Sequence, residues 1–128
     1  MRKTLIIPVI GFTIMIIFAI FIQSYLEKTS EELISNLAQI IDFVDKDKTK
    51  ETIETREKIQ SKWNKTREKW AVLIDHEELD NIEETMHRVE MLIGDPEEKI
   101  ELLSELNKLN FYLEHIPQRE KFSLENIL

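Results

Sequence analysis

The chain has 128 residues, 17 basic and 25 acidic side chains for a net charge of −8, and no cysteine. The absence of cysteine excludes disulfide staples and thiol nucleophiles, and the negative balance argues against nucleic acid, which demands concentrated positive charge. Two glycines, three prolines and 33% charged residues point to helices, and the wealth of Ile and Lys against scarce Ala and Gly fits an AT-rich bacterial genome.

The N-terminus carries the strongest signal. Arg2 and Lys3 precede an uncharged apolar run, Leu5 to Ile22, followed by Gln23, Ser24 and Tyr25. At about 1.5 Å per residue this run reaches about 27 Å, close to the thickness of a bilayer's hydrocarbon. A charge inside it would cost several kcal/mol, and there is none. Pro8 falls early, where a missing N–H matters least, and Tyr25 falls where an aromatic ring with a polar tip suits the headgroups. A cleaved signal peptide would have a shorter core and small residues before its cleavage site, but Ile20, Ile22 and Leu26 stand there. The expectation is an uncleaved signal anchor over residues 1–26, single-pass in the cell membrane, with residues 27–128 as an extracytoplasmic bundle. Basic residues before the span and Glu27 after it put the N-terminus in the cytoplasm.

Beyond the anchor, Thr29 and Glu32 have capping-box spacing, and Leu33, Ile34, Leu37, Ile40, Ile41 and Val44 recur on one helical stripe. Nothing between Ile22 and Leu33 forbids a helix, so one long rod through both segments is also open. A second helix is predicted from Thr49 to Ile74, with Ile53, Ile59, Trp63, Trp70, Leu73 and Ile74 inward. A third runs from His76 to Ile93 on Leu79, Ile82, Met86, Val89 and Ile93. No Gly or Pro divides these two, but the apolar stripe jumps by roughly 140° between Trp70 and Leu79, and Asp75 with Glu78 offers an N-cap and capping box there. Gly94-Asp95-Pro96 ends the third helix and starts a fourth, Pro96 to His115, on Ile100, Leu102, Leu103, Leu106, Leu109 and Leu113, stopped by Pro117. The tail keeps Phe122, Leu124, Ile127 and Leu128, apolar enough to dock on the body. The fold class is all-α: a transmembrane helix followed by an antiparallel up-and-down bundle.

Charge is unevenly distributed. Lys46 to Trp70 carries nine basic and five acidic residues, whereas Asp75 to Glu114 carries three and thirteen. Lys58, Lys62, Lys65 and Lys69 share one helix face. Either they neutralise acidic neighbours within the bundle, or they form a basic surface for anionic headgroups or an anionic wall polymer, or they are solvated. His76, Asp80, Glu83 and His87 occupy one arc of the third helix, and Glu84-x-x-His87 has the spacing of carboxylate-bridged diiron bundles. Such sites need that pair twice plus further glutamates, and no second Glu-x-x-His exists. A solvated or ion-paired face is therefore the leading reading, with a metal site behind it and no cofactor expected. Trp63 and Trp70 are core residues or, if half exposed, a stacking platform for a sugar or peptide. No Gly-rich phosphate loop and no G-x-S-x-G elbow is present, so no catalysis is inferred.

Trp63-x6-Trp70, Leu73, Asp75-His76-Glu77-Glu78-Leu79-Asp80, Ile82-Glu83 and the closing Glu125-Asn126-Ile127 together resemble a domain-of-unknown-function family. Its members are small bacterial proteins, mostly from spore-forming Gram-positives, with one N-terminal membrane segment. The resemblance covers nearly the whole chain and implies the same architecture, with no activity, cofactor or catalytic residue. It draws attention to Trp63, Trp70 and the His76–Glu83 stretch as a shared region, whether as a site or as the bundle's turn and core. Two functions follow as expectations. One is a tethered interaction or structural module of the cell envelope, with a protein partner or a second copy of itself at the membrane. The other is a sensor-like ectodomain binding a metal or small ligand, which would need a membrane partner because only about four residues precede the span.

Overall fold

The computed structural model describes residues 2–127, and all of their side chains except those of Ser123, Leu124 and Ile127. Helix α1 runs from Arg2 to Asp45, α2 from Thr49 to Leu73 and α3 from His76 to Leu92; a 3-10 turn, Pro96–Glu98, leads into α4, Lys99–Ile127. No strand occurs among the described residues, and the chain is an all-α bundle.

α1 is 44 residues of unbroken helix, a rod of about 66 Å. Its first half is long and apolar enough to cross a membrane, and its large side chains from Leu5 to Phe21, Ile16 apart, are exposed. From Leu26 the buried positions run Leu26, Ser30, Leu33, Leu37, Ile40 and Val44, alternating steps of four and three as in a helix packed in a left-handed bundle. The rod reading holds, and the capping box at Thr29 is not used. The Thr29 hydroxyl donates to the Tyr25 carbonyl at 2.9 Å, one turn back within the helix.

The reversal into α2 takes Lys46 to Lys48, with Asp47 in the left-handed region at φ 58°, which Asp tolerates better than most residues. Lys99 fixes this turn from α4, its Nζ 3.1 Å from both the Asp45 carbonyl and Asp47 Oδ1. In α2 the core positions are Thr52, Thr55, Ile59, Trp63 and Trp70. Ile53, expected inward, is 40% exposed. Threonine replaces it because both hydroxyls are satisfied locally, Thr52 on Lys48 O and Thr55 on Glu51 O, so their burial leaves no unpaired donor.

The break between α2 and α3 lies where the stripe jumps, with Ile74 and Asp75 extended. The capping box expected there is absent: the Asp75 side chain makes no cap bond, and Glu78 accepts instead from Arg119. After α3, Gly94 takes φ 96°, a conformation costly for any residue with a Cβ. Asp95 Oδ1 accepts from the Glu97 amide at 3.0 Å, but the turn it caps is 3-10, and α4 starts at Lys99 rather than Pro96.

α4 departs furthest from expectation. Leu102, Leu106, Leu109, Leu113 and Ile116 are buried, whereas Ile100 is 84% exposed, being out of phase with that stripe. Pro117 does not end the helix. Proline removes the amide that would bond the carbonyl four residues back, on Leu113. That carbonyl accepts from the buried Ser30 hydroxyl of α1, and Gln23 of α1 donates to the Pro117 carbonyl at 2.9 Å. The neighbouring helix supplies the missing donor. The tail does not dock through Phe122, which is exposed because it lies across the helix from Ile116. The side chains of Leu124 and Ile127, and Leu128 entirely, lie outside the described residues.

α1 packs closely on both α2 and α4, and α3 on α4, while the α2–α3 seam is thin. The turns before α2 and before α4 share one end of the bundle; the α2–α3 turn and the second half of α4 share the end from which the apolar half of α1 emerges.

Ser30→Ala is expected to cost about 1–3 kcal/mol, the penalty for a buried carbonyl left without a donor. On a Pro117→Ala background the cost should largely vanish, because the restored amide then serves Leu113. A double-mutant cycle on urea unfolding of the detergent-solubilised protein checks this; additive effects would exclude the coupling.

Candidate functional site

The α2–α3 seam is where the structure brings together the largest share of the chemically suggestive side chains. Gln60 and Trp63, one turn apart on α2, face Glu83, Met86, His87 and Glu90 on α3 across a groove of about 220 Å³. The α3 residues recur every three or four positions, so they form one edge beside the buried Ile82 and Val89. An ion pair closes the groove at each end. Arg67 Nε bonds Glu83, and Arg56 Nη1 lies 3.2 Å from Glu90 Oε1.

Trp63 and Trp70 are both core, at 1% and 0% exposure, and meet edge to face with centroids 5.6 Å apart and planes at 83°. Their polar ends differ. Trp70 Nε1 donates to Thr29 Oγ1 at 3.0 Å, tying α2 to α1. Trp63 Nε1 is buried with no acceptor among the described residues. A stacking platform needs an open ring face, and neither indole has one.

Of the suggested metal ligands, Glu83 and His87 line the groove, whereas His76 and Asp80 lie outside it on exposed turns of α3. Glu83 is held by Arg67, His87 is exposed, and among the described residues no group of three or more His, Asp or Glu side chains could hold a metal ion. The groove offers a Gln amide and two carboxylates already bonded to guanidinium groups. It contains no activated nucleophile.

The lysine face is a correction. Lys58, Lys62, Lys65 and Lys69 are exposed, and none forms an ion pair among the described residues. The acidic side of α3 is met by Arg56 and Arg67 instead. Helical phase explains this: the two arginines sit roughly 60° from the buried line of α2 on the α3 side, and the lysines roughly 100° from it on the α1 side. Lys69 Nζ stands 5.6 Å from the Tyr25 ring centroid on α1, within cation–π reach. The arginines were not singled out in the sequence, although their eleven-residue spacing on one shoulder of the stripe was the available signal.

Two further charged groups matter at the span end of the bundle. Arg119 Nη1 donates to Glu78 Oε1 at 2.7 Å, and that bond raises the guanidinium pKa further. Burial, then the nearby Glu78 charge, raises the Glu120 carboxyl above the usual range. At the opposite end, a cleft of about 430 Å³ between the two turns is lined by residues including Asp47, Asp95 and Lys99.

Replacing Trp63 or Trp70 by Ala should cost about 3–5 kcal/mol in the same unfolding assay, as for other fully buried large side chains. A loss below about 1 kcal/mol for both would contradict their place in the core.

No curated protein and no solved structure matches the chain. A family profile described as a domain of unknown function matches residues 20–127, taking in the bundle and the last turn of the apolar run. The chain belongs to that family, DUF4363.

Proposed function

We propose that this protein is a single-pass, membrane-anchored interaction module of the bacterial cell envelope, its N-terminus cytoplasmic and its bundle outside the cell membrane. The observation that carries the proposal is the continuity of α1. The same helix that is apolar enough to span a bilayer supplies the central core stripe of the bundle, with no linker between. Such a joint gives the bundle a fixed height and orientation, which suits a part that must present a surface to a neighbour.

The surface best fitted to that role is the lysine ridge of α2. It extends about 16 Å along the bundle axis, with Lys69 nearest the span. Headgroups would reach only its lower end, so its length favours the acidic face of a protein partner over a lipid surface. Exposed cations fixed on a rigid helix steer an oppositely charged partner and fix its register.

Two measurements test this. A reporter active only outside the membrane, fused after Leu128, should be active; activity only of a cytoplasmic reporter would reverse the topology. Changing all four lysines to Glu should leave the melting temperature within a few degrees, since exposed unpaired charges contribute little to stability. The variant should lose the partner adducts that amine-independent photo-crosslinking captures in native membranes. Normal melting with every adduct retained would remove the ridge from the proposal.

A further inference from the structure

The Gln23–Pro117 hydrogen bond sets a level. Gln23 is the first residue after the apolar run that ends at Ile22, and its Nε2 reaches the Pro117 carbonyl at 2.9 Å. α4 is antiparallel to α1 at this point and does not stop. It continues through residues 118–127, toward the side from which the apolar half of α1 projects. Arg119, bonded to Glu78 of α3, holds the first turn beyond the proline against the bundle.

From this register we propose that the segment of α4 beyond Pro117 is a second membrane contact. Residues 118–122 run below the level of Gln23, beside the upper end of the apolar run, with the Phe122 ring against the acyl chains. The proposal rests on the reading of Leu5–Ile22 as a bilayer span. The depth follows from the register: five residues descend about 7 Å from the level of Gln23, where the apolar run ends. The side chains fit an interface better than either water or hydrocarbon. Phe122 is a large apolar ring left 65% exposed by the bundle. Arg119 and Lys121 flank it with stems long enough to keep their charges among the headgroups. Glu120, whose carboxyl burial already raises above the usual range, is the acidic group here most readily neutralised near lipid. Above that level, two residues beyond Gln23 on α1, Tyr25 carries Lys69 over its ring, an aromatic and cation pairing suited to the headgroups.

Because the chain has no cysteine, single labelling sites can be introduced without background. Phe122→Cys, Ile14→Cys and Met91→Cys, all at exposed positions, would each carry a nitroxide in the full-length protein. The labelled proteins are reconstituted in phosphatidylcholine vesicles containing some phosphatidylglycerol. Collision with oxygen relative to a water-soluble nickel chelate reports depth. Ile14 should read as hydrocarbon, and Met91, at the far end of α3, as water. Phe122 is expected between them, with a ratio several-fold above that of Met91. If Phe122 matches Met91 while Ile14 reads as hydrocarbon, the second contact is wrong and the span stands. If Ile14 also reads as water, the span itself is wrong and the second contact falls with it.

Discussion

The bundle depends on one constraint: α1 does not break where its apolar half ends. Its residues change from uniformly apolar to a one-sided stripe across Gln23–Leu26, yet the backbone remains helical through that change. The other helices are then placed relative to a rod whose lower half lies outside the bundle. α2 is tied to it through Trp70 and Thr29, and α4 through Ser30 and Gln23. These polar contacts cluster within eight residues of α1, at the base of the bundle, where a lever arm would otherwise act. Higher up, the contact with α1 is apolar, through Leu33, Leu37, Ile40 and Val44, until Lys99 bonds the Asp45 carbonyl at its far end.

Pro117 shows how the local cost of a residue is met by its tertiary setting. A proline inside a helix leaves one carbonyl unserved and crowds the preceding turn, at about 3 kcal/mol or more. Here the unserved carbonyl turns into an acceptor for a serine on the neighbouring helix, so a defect of α4 becomes a specific α1–α4 contact. A serine buried among leucines would otherwise be a liability of its own. Each residue makes sense only with the other, which is why Ser30 and Pro117 are expected to be energetically coupled.

This also marks what the sequence could and could not reveal. Periodicity placed Leu37, Ile40, Trp63, Trp70, Leu79, Ile82, Leu106 and Leu109 in the core, and the jump in phase located the α2–α3 break without any Gly or Pro to signal it. Those features are local sums over many residues. The errors came from single residues whose state is decided by a partner far away in the chain. Pro117 reads as a helix stop until Ser30 is beside it. Glu78 reads as half of a capping box until Arg119 arrives from α4. Thr52 and Thr55 are a local exception: their hydroxyls turn back on their own helix and let them take the buried line in place of Ile53. The lysine stripe and the arginines differ by a rotation about the helix axis, legible only once α3 is known to lie on the arginine side.

The same distribution of charge bears on chemistry. An acid/base or metal site requires carboxylates that are not already fixed to cations. In this bundle Glu83 and Glu90 are bound by Arg67 and Arg56, Glu78 by Arg119, and Glu105 lies 3.8 Å from Arg88. A bound guanidinium competes with a metal for the same carboxylate oxygen. These four residues thereby link α3 to its neighbours, two of them across the α2–α3 seam, where direct packing is thin. Among the cations without such partners in the described residues, the four lysines of α2 stand in one row on a helix packed against α1. That alignment on a helix held against α1 is what the proposed interaction role rests on.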